Sequence, residues 1–253
     1  MSETERSTSG QPIYRHEPVE RGFVAPASHP LVEEIDAHLD AVFGPSETVL
    51  HEIVSYTIHL DVHVVPPGDG RPCWTLFTSG MSALPMTAPD GYDHLRFAEL
   101  AIRLPASWRI DLLTVTPPSA DNDRWYWPVR GLKMLGRLPH EYGTWLGTGH
   151  TIPNGDPPEP FALDTGLCAW MILPPLRVSD DARAHRLSDG TILNIYLVHG
   201  LHADELALKL ANGMDALLDR FDAAHVSEVL DPGRPSSVTP ATAPKRRFGL
   251  FGR

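Results

Sequence analysis

The sequence predicts an α+β fold: one domain in which a mixed or antiparallel β-sheet packs with helices. Three observations point there. The apolar runs of strand length come early and as hairpins, not in strict β-α-β order. A PPGDG turn, residues 66–70, joins two of them. The helical segments carry apolar residues at intervals of three and four on one face only.

Taken in order, residues 1–27 are rich in Ser, Thr, Glu and Pro with little apolar periodicity. They predict a flexible N-terminal segment. HPLVEEIDAHLDAVFG follows, with Leu31, Ile35, Leu39, Val42 and Phe43 at helical spacing. Ser28 can cap this helix, Pro30 suits its first turn and Gly44 can end it. HEIVSYTIHLDVHVV, residues 51–65, alternates with a period of two. Val54, Tyr56, Ile58, Leu60, Val62 and Val64 fall on one face of a strand. His51, His59, Asp61 and His63 fall on the other, which reads as a half-exposed face. RPCWTLFTSGMS is the second arm of the hairpin, and HLRFAELAIRLP, residues 94–105, a third strand. Leu112–Val115 is a short piece. WPVRGLKMLGRLPHEYGTWLG is helical, with Pro128 near its start and Val129, Leu132, Met134, Leu135 and Leu138 as its apolar face. GTGHTIPNG reads as a hairpin loop. LCAWMILPP is apolar on both faces, as a central strand is, and GTILNIYLVHGL is another strand. HADELALKLANGMDALLDRF gives one helix or two, with Gly213 as the break. The folded part is assigned to residues 28–232, and 233–253 to a disordered linker ending in a basic-aromatic tail, KRRFGLFGR.

The net charge is −11; residues 231–253 hold five bases and one acid, which makes that tail +4 and leaves −15 for residues 1–230. An acidic body argues against nucleic acid, whose phosphates need a basic surface. It suits a basic protein or peptide. The two cysteines, Cys73 and Cys168, give no zinc spacing and fit a reducing compartment. No apolar run reaches the roughly 18 residues of a membrane helix, and MSETERSTSGQP has no h-region. A cytoplasmic protein without stable membrane insertion is expected. The tail Lys245–Arg253 is a candidate docking motif, too short for a helix of its own.

Enzyme signatures are sparse. GxGxxG, GxxxxGK[ST], HExxH and GxSxG do not occur. FTSGMS holds Ser79 and Ser82, but its glycine placement is not that of a nucleophile elbow. His59 and His63 stand two apart on one strand face and could both reach a zinc ion beside Asp61. No regularly spaced third and fourth ligand completes that set, so a metal-dependent enzyme on His59, Asp61 and His63 is the alternative reading; no catalytic residue, cofactor or metal is expected. Trp125, Tyr126, Trp127 and Trp145 could line a peptide groove, but large aromatics more often pack a core.

DVHVVPPGDGRPCWTLFTSGMSALPM resembles the signature of the suppressor of fused family, with TSGMS, residues 78–82, at its centre and Pro85-Met86 after it. AELAIRLPASW, WPVRGLKMLGRLPH, TWLGTGHTIPNGDP, a strand ending in LPP and the helix from HADEL continue the likeness in order, over about residues 30–232. The resemblance implies a binding module and no catalysis. Animal members hold a transcription factor through an extended peptide added to a sheet, aided by a second, C-terminal domain. With 233–253 read as tail, the likeness is to the stand-alone bacterial form, some of whose members are thought to be toxin-immunity proteins. The partner-binding candidates are His59, Asp61, His63, Thr78, Ser79, Gly80, Met81, Ser82, Trp145, His150 and Asn154. TSGMS could line a site or only fix a tight backbone path, since glycine beside small hydroxyl residues is also turn chemistry.

Overall fold

The computed structural model describes residues 5–19, 30–52, 55, 57–113 and 120–238, with the side chains of 120–123 excepted. The strands are β1 (Thr48–Leu50), β2 (Asp61–Val65), β3 (Cys73–Ser79), β4 (Phe97–Pro105), β5 (Thr151–Pro153), β6 (Ala169–Leu173), β7 (Ala184–Arg186) and β8 (Ile192–Leu201). The helices are α1 (Val32–Phe43), α2 (Ala120–Tyr142), α3 (Asp180–Arg183), α4 (Ala203–Asn212) and α5 (Met214–Ala223). Among the described residues the strands form one sheet in the order β1-β2-β3-β4-β8-β6-β5, with β7 also paired to β8. Every pairing is antiparallel except β4 with β8. The expected α+β architecture is present.

Period-two alternation sends each strand's side chains to two apolar layers. Leu60, Val62, Val64, Leu76, Leu100, Ile102, Trp170 and Ile172 share one core with Val129, Leu132 and Leu135 of α2. The helix comes close to the sheet because it is small where they meet: a Cβ at Gly131 would lie 2.3 Å from the Trp170 ring. Val65, Phe77, Ala101, Ile195 and Leu197 face the other way and pack on Ile35, Leu39 and Phe43 of α1. Further along the same face, Ala169, Met171 and Leu201 pack on Leu206, Leu217 and Phe221 of α4 and α5. The sheet is therefore covered on both sides.

The hairpin expected at PPGDG is β2–β3, registered from Asp61 opposite Ser79 to Val65 opposite Thr75. α1 ends where Gly44 takes φ +99° and donates its N–H to the Asp40 carbonyl; Ser28, the expected cap, lies outside the described residues. Gly213 does divide the last helical stretch into α4 and α5.

Several expectations are corrected. Of the 51–65 strand, Asp61–Val65 is β2; the described residues 51, 52, 55 and 57–60 fall outside it, and residue 53, Val54 and Tyr56 lie outside the described residues. The odd face of β2 is half-buried at Asp61 and His63 and closed at Val65, which packs with Ile35, Leu39 and Phe43 of α1. α2 begins at Ala120, so Pro128 sits inside it with Pro139 and not near its start. Met134 points outward at 39 % exposure. In the 112–115 piece the described part is a 3₁₀ turn, Ile110–Leu112, and Leu113; the rest lies outside the described residues. GTGHTIPNG holds β5, paired with β6.

The two ends of the chain carry structure as well. In the N-terminal segment Ser9 donates its N–H to the Leu210 carbonyl, and Val19 donates to that of Glu141. At the other end, Arg234, Ser236 and Ser237 are bonded to α4. The boundary drawn at 232 thus falls within a docked stretch; residues 239–253, with the basic-aromatic tail, lie outside the described residues.

Candidate functional site

The TSGMS motif surrounds a buried carboxyl. Glu99 on β4 is fully buried. Its Oε1 accepts from the Gly80 N–H at 3.0 Å, the Ser82 N–H at 2.9 Å and the Ser82 hydroxyl at 2.6 Å. Its Oε2 accepts from the Thr78 hydroxyl at 2.6 Å, and that oxygen takes the Leu100 N–H at 2.9 Å. The Thr78 side chain thereby replaces a backbone group where the β3–β4 ladder stops at Phe77 opposite Ala101. Burial pushes the Glu99 carboxyl up to about 7, against the pull of the Ser82, Thr78 and Gly80 bonds. The turn itself demands glycine. Gly80 has φ +113°, and a Cβ there would lie 1.9 Å from the His59 carbonyl oxygen. Next to it the Ser79 hydroxyl donates to Asp36 on α1 at 2.7 Å, and buried His140 of α2 donates Nε2–H to the Met81 carbonyl at 2.9 Å. Every hydroxyl of the motif has a partner inside the protein. Of the two readings of TSGMS, the geometry fits the tight backbone path.

The other candidates lie at the two borders of the sheet. At the β1–β2 corner, His51 Nδ1 is 2.8 Å from Asp61 Oδ2 and His59 Nε2 is 3.1 Å from Asp61 Oδ1. The Glu52 N–H donates to Asp61 Oδ1 at 3.0 Å. His63 does not join them: its Nδ1 meets the Ser46 hydroxyl at 3.1 Å and its ring stacks on Phe77, 4.8 Å between centroids. Burial under α1 lowers its pKa, against the pull of Asp36, Asp61 and Asp40. Of the row His59, Asp61 and His63 read from the sequence, the structure brings His59 and Asp61 together with His51 and leaves His63 apart. His51 is on the same alternating row, and it reaches Asp61 because it follows β1, whose antiparallel register sets Leu50 opposite Val62 and His51 next in line.

At the β5 corner, the Trp145 ring meets His150 edge-on, 4.4 Å between centroids. Burial and then the Lys209 charge depress the His150 pKa to about 4. Asn154 is exposed, and its amide donates to the Glu159 carbonyl at 2.7 Å. Trp127 is a core residue, stacked on Phe161 and Trp170 and edge-on to Trp108, and half-buried Trp125 packs against that core with its ring edge-on to Trp108. Five strand spacings separate β2 from β5 in the sheet order, which at 4.7–4.9 Å each puts the two corners about 24 Å apart.

Sequence reasoning missed a second buried acid, Glu205 of α4, fully buried. Its Oε1 and Oε2 each take a guanidinium nitrogen of Arg234 at 2.6 Å. Its Oε1 accepts the Ser237 N–H at 2.8 Å, and its Oε2 accepts the His202 N–H at 2.9 Å. The signal was available in part: Glu three residues after His202 is a capping-box position.

No helix among the described residues is long and apolar enough to cross a membrane. No curated protein sequence matches. Among solved structures, the fold is similar to a SUFU homologue from Neisseria gonorrhoeae, with TM-score 0.58 and 16 % identity over 83 % of this chain and 97 % of that one. It is similar to a chain of the Sufu–Fu complex, with TM-score 0.58 and 15 % identity over 83 % and 93 %. Drosophila Suppressor of Fused aligns with TM-score 0.55 and 18 % identity over 87 % of this chain but 54 % of that one. The family model described as Suppressor of fused protein (SUFU) matches residues 56–235, and the chain belongs to that family.

Proposed function

We propose that this chain is a non-catalytic binding module that engages a protein or an extended peptide, in a toxin-immunity or regulatory role. One observation carries the reading. The candidate groups that reach the surface, exposed His59 and Asn154 and half-buried Asp61, Trp145 and His150, stand in two corners about 24 Å apart, and the polar motif between them is buried with its hydroxyls committed to internal partners. A small substrate cannot touch both corners; a protein can, and an extended chain of about seven residues would bridge them. A solved structure of similar fold is that of the Sufu–Fu complex. The net charge of −11 favours a basic partner. The contact surface is assigned to His59 and Asp61 at one corner and to Trp145, His150 and Asn154 at the other. His63 and the TSGMS residues support these from beneath. A peptide adding to an outer strand would gain backbone hydrogen bonds there.

The test is affinity purification of the tagged chain from its host, with mass spectrometry, beside a chain ending at Val238 and a His59→Ala/Asp61→Asn variant. One stoichiometric partner kept by the shortened chain and lost by the corner variant is the expected result. A toxin domain as that partner gives the immunity role; a transcription regulator gives the regulatory one. A partner lost on removing residues 239–253 would move the site to the tail. No partner in any growth condition would overturn the reading.

A further inference from the structure

The Ser55 hydroxyl has one proton and two neighbours that want it. Its Oγ lies 2.6 Å from Glu52 Oε2 and 3.0 Å from His59 Nδ1. Glu52 is a carboxylate paired with Arg137 and accepts the Leu60 N–H on the same oxygen. At 2.6 Å two lone pairs would repel, so the hydroxyl donates to Glu52. Its oxygen can then only accept from His59, and His59 must carry its proton on Nδ1. In the neutral ring that leaves the Nε2 lone pair pointing at Asp61 Oδ1, 3.1 Å away. Two lone pairs at that distance repel, and a cation seated between them would bind both. A second imidazole reaches the same carboxylate, with His51 Nδ1 2.8 Å from Asp61 Oδ2. The three ligand atoms lie within 4.8 Å of one another.

We propose that His51, His59 and Asp61 form a divalent transition-metal site of the zinc class, with water in the remaining positions. Two imidazoles and one carboxylate with ligand atoms within 4.8 Å of one another are a donor set such ions accept. Ser55 and Glu52 form the outer layer, fixing the His59 tautomer that presents Nε2, as a hydrogen-bonded partner does for metal-bound histidines. Two ligands are held in place before any ion arrives. Asp61 is fixed by its pairing with Ser79 and by the Glu52 N–H. The His59 main chain is pressed against Gly80. His51 is 70 % exposed and His59 46 % by side chain, so an ion enters without opening the core. The inference does not depend on the partner-binding reading.

The experiment is calorimetric titration of the chelator-treated full chain, without a polyhistidine tag, with Zn²⁺, repeated with Co²⁺ by visible absorption. One ion per chain is expected. His51→Ala and His59→Ala should each weaken binding by about tenfold or more, and Ser55→Ala by about tenfold, the lower end of the loss seen for such outer partners. His63→Ala should leave binding unchanged. Circular dichroism checks that each variant is folded. No saturable binding by the parent chain would overturn the proposal. Binding that survives both His51→Ala and His59→Ala would place the ion elsewhere and overturn it equally.

Discussion

Glu99 and Glu205 are each fully buried, yet the chain surrounds them differently. Glu99 sits among neutral donors, the N–H groups of Gly80 and Ser82 and the hydroxyls of Thr78 and Ser82. Glu205 meets a full positive charge, the two-pronged guanidinium of Arg234, beside N–H donors. Desolvation wins at Glu99 and lifts its pKa to about 7. At Glu205 burial pushes upward too, but the Arg234 bonds and charge, with the Ser237 and His202 N–H groups, carry the carboxyl below its ordinary range. Dipoles alone do not replace the lost hydration of a buried anion; a fixed counter-charge does.

The difference fixes what each acid tolerates. Removing the counter-charge should have the largest effect. Arg234→Met leaves Glu205 buried without a cation, and breaking a buried pair on one side costs about 3–5 kcal/mol. Urea unfolding at pH 7.5 measures it. Adding Glu205→Leu to Arg234→Met should recover much of the loss, since a buried pair replaced whole by apolar groups is often neutral. A loss below about 1 kcal/mol for Arg234→Met alone would mean that the 233–238 segment is dispensable.

The two acids should also respond to pH with opposite signs. Glu99 folded has a pKa of about 7 against an ordinary 4.5. Between those values the folded state keeps a proton that the unfolded chain releases. Its contribution is therefore complete below about 4.5 and is lost as pH rises through 7. Glu205, with its value lowered, contributes above the ordinary value and loses that contribution as pH falls. Glu99→Gln keeps the shape and removes the titration. Relative to the parent it should gain about 2 kcal/mol between pH 5 and pH 8, because each tenfold difference in proton affinity between the folded and unfolded chain is worth about 1.4 kcal/mol. Unfolding curves at the two pH values decide it; equal differences at both would mean that Glu99 stays ionised.

Local chemistry is legible in the sequence and tertiary partnership is not. PPGDG marks the β2–β3 hairpin because a two-strand turn is written in its own residues. Gly213 marks the α4–α5 break for the same reason. Glu99 stands in AELAIRLP with nothing beside it to mark it as buried, since its donors come from Thr78–Ser82, some twenty residues earlier. Arg234 falls beyond the boundary that composition draws, because Pro235, Ser236 and Ser237 have linker composition; what holds them is Glu205, and composition does not report a single buried charge. The row from His51 to His63 misleads because alternation in sequence looks the same whether the backbone is extended or turns back. Two histidines and an aspartate are indeed drawn together there, but His51 replaces His63.

The β5 corner gives the smallest of these effects and the sharpest contrast with Glu99. His150 is held neutral, its pKa depressed to about 4 by burial and then by Lys209, whose Nζ is fixed on the Thr151 hydroxyl at 3.3 Å. The sign is the reverse of Glu99's. Below about 6.5 the unfolded chain takes up a proton that the folded ring refuses, so stability present above 6.5 is lost as pH falls toward 4. The ring is only partly enclosed, which trims the effect to about 1 kcal/mol between pH 7.5 and pH 5. His199, depressed to about 4 by burial and then by Arg234 and Arg103, adds a loss of the same sign. The parent's acid sensitivity alone therefore does not isolate His150; the His150→Gln variant does. Its unfolding free energy should fall by about 1 kcal/mol less than the parent's over that interval. If both fall equally, the Trp145–His150 contact opens before the ring is protonated, and the corner is a surface that can rearrange to meet a partner.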